Sequence, residues 1–354
     1  MHWRKQLSKI AVGLLASHSL IAQALEQQPI LQSKAQDWRI EVIAEGLDYP
    51  WDLVAVDKQQ LLVTQKSGEV LWYSEGRLQR QTFQPSTPLR THSGAGLHGV
   101  ALVPDFSSSK HAYFYYSYSD NGLPLNRVVM AQLVGSSWQE TQIIIDAIPG
   151  HDYYNGGRIA FGPDGYLYVT TGWTENYQRP QDTSNLAGKI LRVASDGSIP
   201  ADNPYPDSPV YSIGHRNPQG LAWSPDGELF VAEHGQAALD ELNRVRAGGN
   251  YGWPVISGDE SQAGMESPFV HSGRTTWAPS GIAFVGSELV MATLKGNGLY
   301  VLDESNKTLQ PLPSTGERYR QILPSSDGFY VITTNRSPRG SGPSKDTLLR
   351  YRRQ

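Results

Sequence analysis

Residues 150–172, GHDYYNGGRIAFGPDGYLYVTTG, carry three signals at once. Gly156-Gly157-Arg158 reads as a tight turn beside a cation. Phe161-Gly162-Pro163-Asp164-Gly165 reads as a hairpin turn between apolar runs, and 167–171 alternates as a half-buried strand does. Variants of this strand–turn–strand unit recur at 51–73, 96–118, 158–172, 220–233, 281–302 and 319–335. An x-P-D-G turn, whole or degraded, stands at the centre of each, where Pro fixes φ and Gly accepts φ > 0.

Repeats roughly 40–60 residues apart, each with apolar alternation enough for about four strands, are the pattern of radially arranged blades. The expected fold is therefore all-β, a six-bladed β-propeller. Its closing strand is expected at 347–351, possible partners lying in the N-terminal region. The middle units lie furthest apart, so their long loops are expected to gather on one face and carry function. Composition agrees. The 354 residues include 35 Gly and 23 Pro, with only 18% charged, more turn-formers than a helical chain carries. A formal net charge of −4 argues against nucleic acid as the partner, because phosphate contact needs a basic face.

The N-terminus reads as an export signal. Arg4, Lys5 and Lys9 precede a short apolar run at 10–22, and Ala22-Gln23-Ala24 suits cleavage after small residues. The run is too short to span a bilayer. The expected organisation is a signal peptide at 1–24, a linker at 25–36 and one propeller at 37–354. A periplasmic protein with no stable membrane insertion after cleavage follows. There is no cysteine, so packing rather than disulfides must hold the chain.

Several constellations are candidates for chemistry. Arg216 and Asn217, in YSIGHRNPQG, precede a proline and project from a loop. A planar fork beside an amide suits a carboxylate-rich ligand, and equally a loop salt bridge. Lys295 ends VMATLKG. Arg318 and Arg320 flank Tyr319, and in an extended segment their spacing of two points both to one side. With Arg158 and Arg216 these cations outline a central anion site. Asp240 and Glu241, with Tyr251 nearby, offer oxygen to a hard cation or simply a solvated pair, at no EF-hand spacing. His151 and Asp152 form either an acid–base pair or a loop hydrogen-bond pair. The histidines show no H-x-x-x-H spacing of a zinc site.

Taken in order, GLDYPWDL, GGRIAFGPDGYLYVTTG, NLAGKILRV with DGSIPADNP, GHRNPQGLAW, DELN with NYGWP, WAPSGIAF and LKG resemble the soluble aldose sugar dehydrogenases that depend on pyrroloquinoline quinone (PQQ), the glucose/sorbosone dehydrogenase family. The resemblance runs from about Gly46 to Tyr351 and implies the same six-bladed propeller. It implies PQQ, a tricarboxylate ortho-quinone, bound by Arg216, Asn217, Lys295, Arg318 and Arg320. It implies calcium on the carbonyls of Gly235 and Gln236, and a structural calcium at Asp240, Glu241 and Tyr251. The implied reaction oxidises a small sugar or related alcohol at C1, with electrons passed to an external acceptor.

The departures fall on the chemistry. The family's catalytic His, four residues before the Arg of the G-G-R turn, is Tyr154, and its Asp partner is Trp173. A family Gln near the quinone aligns with Gly94. Phenols ionise near pH 10, so a tyrosine makes a poor base at neutral pH. His151, three residues away, is the nearest substitute. Two alternatives follow: a PQQ- or sugar-binding propeller without catalysis, or a calcium-dependent lactonase, for which Asn155, Asn217 and Glu233 are the available residues.

Overall fold

A computed structural model describes residues 29–338, 340 and 344–354; the export signal read at 1–24 lies outside them. The chain is all-β, and its strands fall into antiparallel meanders of four. One is Ile159–Phe161, Leu167–Thr170, Lys189–Val193 and Val210–Ile213; the next is Pro218–Trp223, Leu229–Glu233, Glu241–Val245 and Val270–His271. A third runs Pro279–Val285, Glu288–Thr293, Leu299–Asp303 and Thr308–Pro311. Their hairpins form where the turn residues demand. Gly165 takes φ 80° after Pro163-Asp164, and Gly227 takes φ 86° after Pro225-Asp226.

An eight-stranded sheet holds the units read at 51–73 and 96–118. Its two antiparallel halves are joined by a short parallel pairing of Arg77–Gln84 with Ser137–Pro149. The remaining sheet joins the chain ends. Trp38–Leu47 pairs with Asp346–Arg353, beside Gly328–Thr333 and Tyr319–Ser325. The closing strand expected at 347–351 is thus bracketed by N-terminal residues on one side and the last unit on the other. Trp38 packs on Phe329 and Tyr351, which stack at 4.8 Å, so the seam is sealed by aromatic burial.

The first strands of successive meanders meet around a ring. Pro50–Ala55 contacts Leu97–Leu102 and Tyr319–Ser325; Leu97–Leu102 contacts Ile159–Phe161; Pro279–Val285 bridges Pro218–Trp223 and Tyr319–Ser325. Leu167–Thr170, next to Ile159–Phe161, reaches Pro218–Trp223 and closes the circuit. Between the sheets lie apolar layers of Val, Leu, Ile and aromatic side chains, buried on both faces. Every first strand starts, and every second strand ends, at one rim of this ring, so short segments from distant parts of the sequence converge there.

Candidate active site

At that rim opens a cavity of ≈ 230 Å³. Tyr49 and Trp51 enter it from the start of Pro50–Ala55, Asn155 and Gly156 from the turn before Ile159–Phe161, and Asn217 and Gln219 from Pro218–Trp223. Second strands deliver Lys66, His234 and Lys295 just past their last paired residues. Arg318 and Arg320 both line it, as their spacing of two predicts.

Charge is the cavity's main chemical feature. Lys66, Lys295, Arg318 and Arg320 line it, and among the described residues no carboxylate does. Burial pushes Arg318 below its ordinary value and Arg320 down to about 10. Arg320 reaches Gln219 Oε1 at 3.0 Å and Ser280 Oγ at 3.3 Å, yet its buried Nε has no partner among the described residues. Arg318 is held by the carbonyls of Thr334 and Leu294. Clustered cations without a counter-charge are costly, and an anion in the cavity offsets that cost. The donor set therefore fits a compact polycarboxylate.

Arg158, expected among these cations, is not available to a ligand. It lies 2% exposed and ion-paired with Asp52, also buried, which accepts from Val100 N, Leu53 N and Gln321 as well. The Arg158 guanidinium sits 4.3 Å from the Trp51 ring, so the pair supports the cavity floor from behind. Arg216 is also set back. It is boxed by the rings of Tyr154, Trp173 and Trp253 at 4.9, 5.3 and 5.3 Å, and its Nε has no partner in the protein. Asn217 does reach the cavity, its Oδ1 accepting from Gly156 N at 3.1 Å.

A buried relay fixes this loop. Ser212 Oγ meets His215 Nε2 at 2.8 Å, His215 Nδ1 meets Glu233 Oε1 at 2.9 Å, and Glu233 Oε2 accepts from Arg216 N at 2.6 Å. The Ser–His–Glu order resembles a nucleophile triad, but Ser212 and His215 have zero exposure and no substrate could reach them. Its work is to hold Arg216 and Asn217.

Of the catalytic candidates, Tyr154 lines the cavity and Trp173 does not. Trp173 packs against Tyr154 at 5.9 Å and Trp253 at 5.3 Å, away from the open space. His151 stacks on Tyr154 at 5.3 Å, accepts from Tyr153 N at Nδ1, and has Nε2 3.4 Å from Glu175. It does not enter the gap. Gly94, where the family has Gln, has no room for a side chain: a Cβ there would lie 2.9 Å from Asp152 O. The loop bearing Tyr154 has closed against it.

Gly235 and Gln236 sit in the turn after Leu229–Glu233, tied by Gly235 N donating to Asp240 Oδ1 at 2.9 Å. The other Asp240 oxygen, Oδ2, accepts from Thr276, Trp277 N and Ala278 N, so that oxygen is fully occupied. Tyr251 spends its phenol on Arg244 O and Arg246 N. Glu241 lies directly across the strand pair from Glu233, and the two share Asn243 Nδ2. Burial first, then Glu233, pushes Glu241 up to about 8. Among the described residues no three acidic or histidine side chains converge as a metal site, so a cation here would rest largely on backbone oxygens.

Sequence reasoning passed over Tyr49, Trp51, Lys66 and His234 as cavity residues. A signal existed for Lys66 and His234: each follows the second strand of its unit, as Lys295 does.

The family model "Glucose / Sorbosone dehydrogenase" matches residues 47–341. Aldose sugar dehydrogenase YliI of Escherichia coli (strain K12) is 31% identical over 84% of this chain and 90% of its own length. The PQQ-bound form of an aldose sugar dehydrogenase from Streptomyces coelicolor superposes with a TM-score of 0.81 at 31% identity, covering 90% of this chain and 98% of that one. The apo form of the soluble aldose sugar dehydrogenase from Escherichia coli gives 0.79 at 28% identity, covering 90% and 100%.

Proposed function

Because the chain belongs to the glucose/sorbosone dehydrogenase family, we propose that it is a PQQ-dependent sugar dehydrogenase. It oxidises an aldose or related alcohol at C1 and passes the electrons to an external acceptor. The observation that carries this reading is a cavity lined, among the described residues, by four basic side chains and no carboxylate, which matches three carboxylates on a compact quinone. When bound, PQQ supplies an electrophilic quinone that takes hydride from the sugar carbon.

In this reading the meanders form six blades, with the eight-stranded sheet counted as two and the chain ends sharing one. Arg318, Arg320 and Lys295 grip carboxylates, and Asn217 orients the ring. Arg216 acts from behind the Tyr154 ring. Calcium is held by the carbonyls of Gly235 and Gln236 against the cofactor and polarises it. Of the second calcium set, Glu241 with its neighbour Glu233 is the part best suited to a cation, because three donors already hold Asp240 Oδ2 and only Oδ1 remains open. Residues 1–24 direct export to the periplasm.

The test is PQQ titration of the purified protein with and without calcium, followed by dye reduction over a panel of aldoses and alcohols. PQQ-dependent turnover is expected. Binding without turnover on any substrate would favour a binding propeller, a reading motivated by Tyr154 and Trp173 standing at the family's dyad positions. Failure to bind PQQ would remove the function and leave the fold.

A further inference from the structure

We propose that Lys66 is the base that accepts the substrate's hydroxyl proton. This rests on the quinone-dependent reading above and assigns the role left open by Tyr154 and Trp173. Lys66 follows the strand Gln60–Gln65, lines the cavity, and donates from Nζ to Ser93 O. Its amine lies 4.8 Å from the centre of the Tyr49 ring. Next along the chain, Gly94 N donates to Asp152 O at 2.6 Å, and its missing side chain lets 152–154 pack directly on it. Lys66, Gly94, Tyr153 and Tyr154 all line the cavity, with Lys66 tied to the neighbour of Gly94 through Ser93 O. The amine and the family's base position thus face the same space.

The other lining groups are poorly suited. His98 is 1% exposed, its Nε2 bonded to Gly94 O and its Nδ1 pressed toward the Gly157 backbone, where a Cβ would lie 2.8 Å away. Burial holds it down to about 3, so it resists taking a proton. His234 spends Nε2 on Pro279 O, and burial holds it down to about 4. Guanidinium groups stay protonated, phenols as a class ionise near pH 10, and among the described residues no carboxylate lines the space. Lys66 is only half-buried, so it can exchange protons with solvent. Burial, then the charge of Arg336, brings it down to about 8, against a weaker upward pull from Asp48. Arg336 is itself paired with Asp48 at 3.2 Å and shares the Tyr49 ring with Lys66. A base poised near the working pH is the efficient kind.

The step balances. The neutral amine takes the proton of the C1 hydroxyl and becomes ammonium, C1 gives hydride to the ortho-quinone, and the C–O bond becomes the carbonyl of a lactone. Two electrons leave the sugar and two enter the quinone. The ammonium returns its proton to solvent.

Lys66→Arg keeps the cation and the donor to Ser93 O but removes the accessible neutral form; Lys66→Gln removes both. Three readings decide. PQQ affinity by absorbance titration should stay within threefold for Lys66→Arg, which also checks its folding. The Lys66 resonance, assigned in ¹³C-methylated protein by its loss in either variant, should titrate near pH 8 and not with the bulk near 10.4. Turnover should fall about 10²-fold or more in both variants, and the rise of kcat/KM between pH 7 and 9 should vanish. Lys66→Arg retaining a third of wild-type turnover, or a Lys66 resonance titrating with the bulk, overturns the assignment. So does a wild type that binds PQQ yet oxidises no aldose up to pH 9. A wild type that does not bind PQQ at all removes the functional reading first, and this inference with it.

Discussion

Asp52 and Arg158 show what a single residue contributes behind the site. They are 106 residues apart, both buried, and joined beneath Trp51. Burial alone drives each toward its neutral form, but a carboxylate holding a guanidinium and three further donors is stable as an ion. Asp52→Ala leaves the Arg158 charge buried without compensation, and a loss of about 3–5 kcal/mol is expected in urea unfolding. A loss below about 1 kcal/mol would mean water reaches Arg158. His151 makes the opposite case. Its ring nitrogens face Tyr153 N on its own loop and Glu175 on the next one, and it does not line the cavity, so His151→Ala should change turnover less than threefold. Loss of all activity in that variant would return His151 to the role of base. Neither relation was legible in the sequence. Partners 106 residues apart leave no local pattern, and a histidine's reach depends on which way its loop folds.

At the scale of elements the sequence was far more informative, because turns are local chemistry. Pro-Asp-Gly at 163–165 and 225–227 forces a hairpin whatever lies around it, and both hairpins appear where that motif stands. What the pattern missed was the parallel pairing of Arg77–Gln84 with Ser137–Pro149. RLQRQTFQ is too polar to announce a strand, and its pairing is decided by its partner. Strand register, not the strands themselves, also sets the electrostatics near the relay. Glu233 and Glu241 stand directly opposite, where like charges repel. A carboxyl raised to about 8 in the fold from 4.5 binds its proton more tightly when folded. Its stabilising contribution is therefore complete below about pH 4.5 and lost as pH climbs through about 8. In EDTA the melting temperature should fall over that window, and Glu241→Gln should flatten the fall. An unchanged slope in the variant would place the titration elsewhere. Calcium, which favours the ionised carboxylate, should rescue the wild type at pH 8 more than at pH 5.

Taken whole, the molecule is acidic, at a net charge of −4, yet gathers four basic side chains from three distant segments around one cavity. Only the closed ring of first strands makes that possible, since Lys66, Lys295 and the Arg318/Arg320 pair share no local sequence. The arrangement concentrates positive potential in a low-dielectric cleft of a net-acidic chain, which draws small anions to that cleft. A tricarboxylate should then bind with strong salt dependence, because the Debye length shrinks from about 30 Å at 0.01 M to about 3 Å at 1 M. PQQ affinity is expected to weaken at least tenfold between low and high salt, and Lys295→Gln, which removes an exposed cation at the mouth, should make that dependence shallower. A neutral quinone of similar size should show little of it. Affinity independent of salt would mean that Arg318 and Arg320 hold the carboxylates by short, dry hydrogen bonds alone, with the surrounding field contributing nothing.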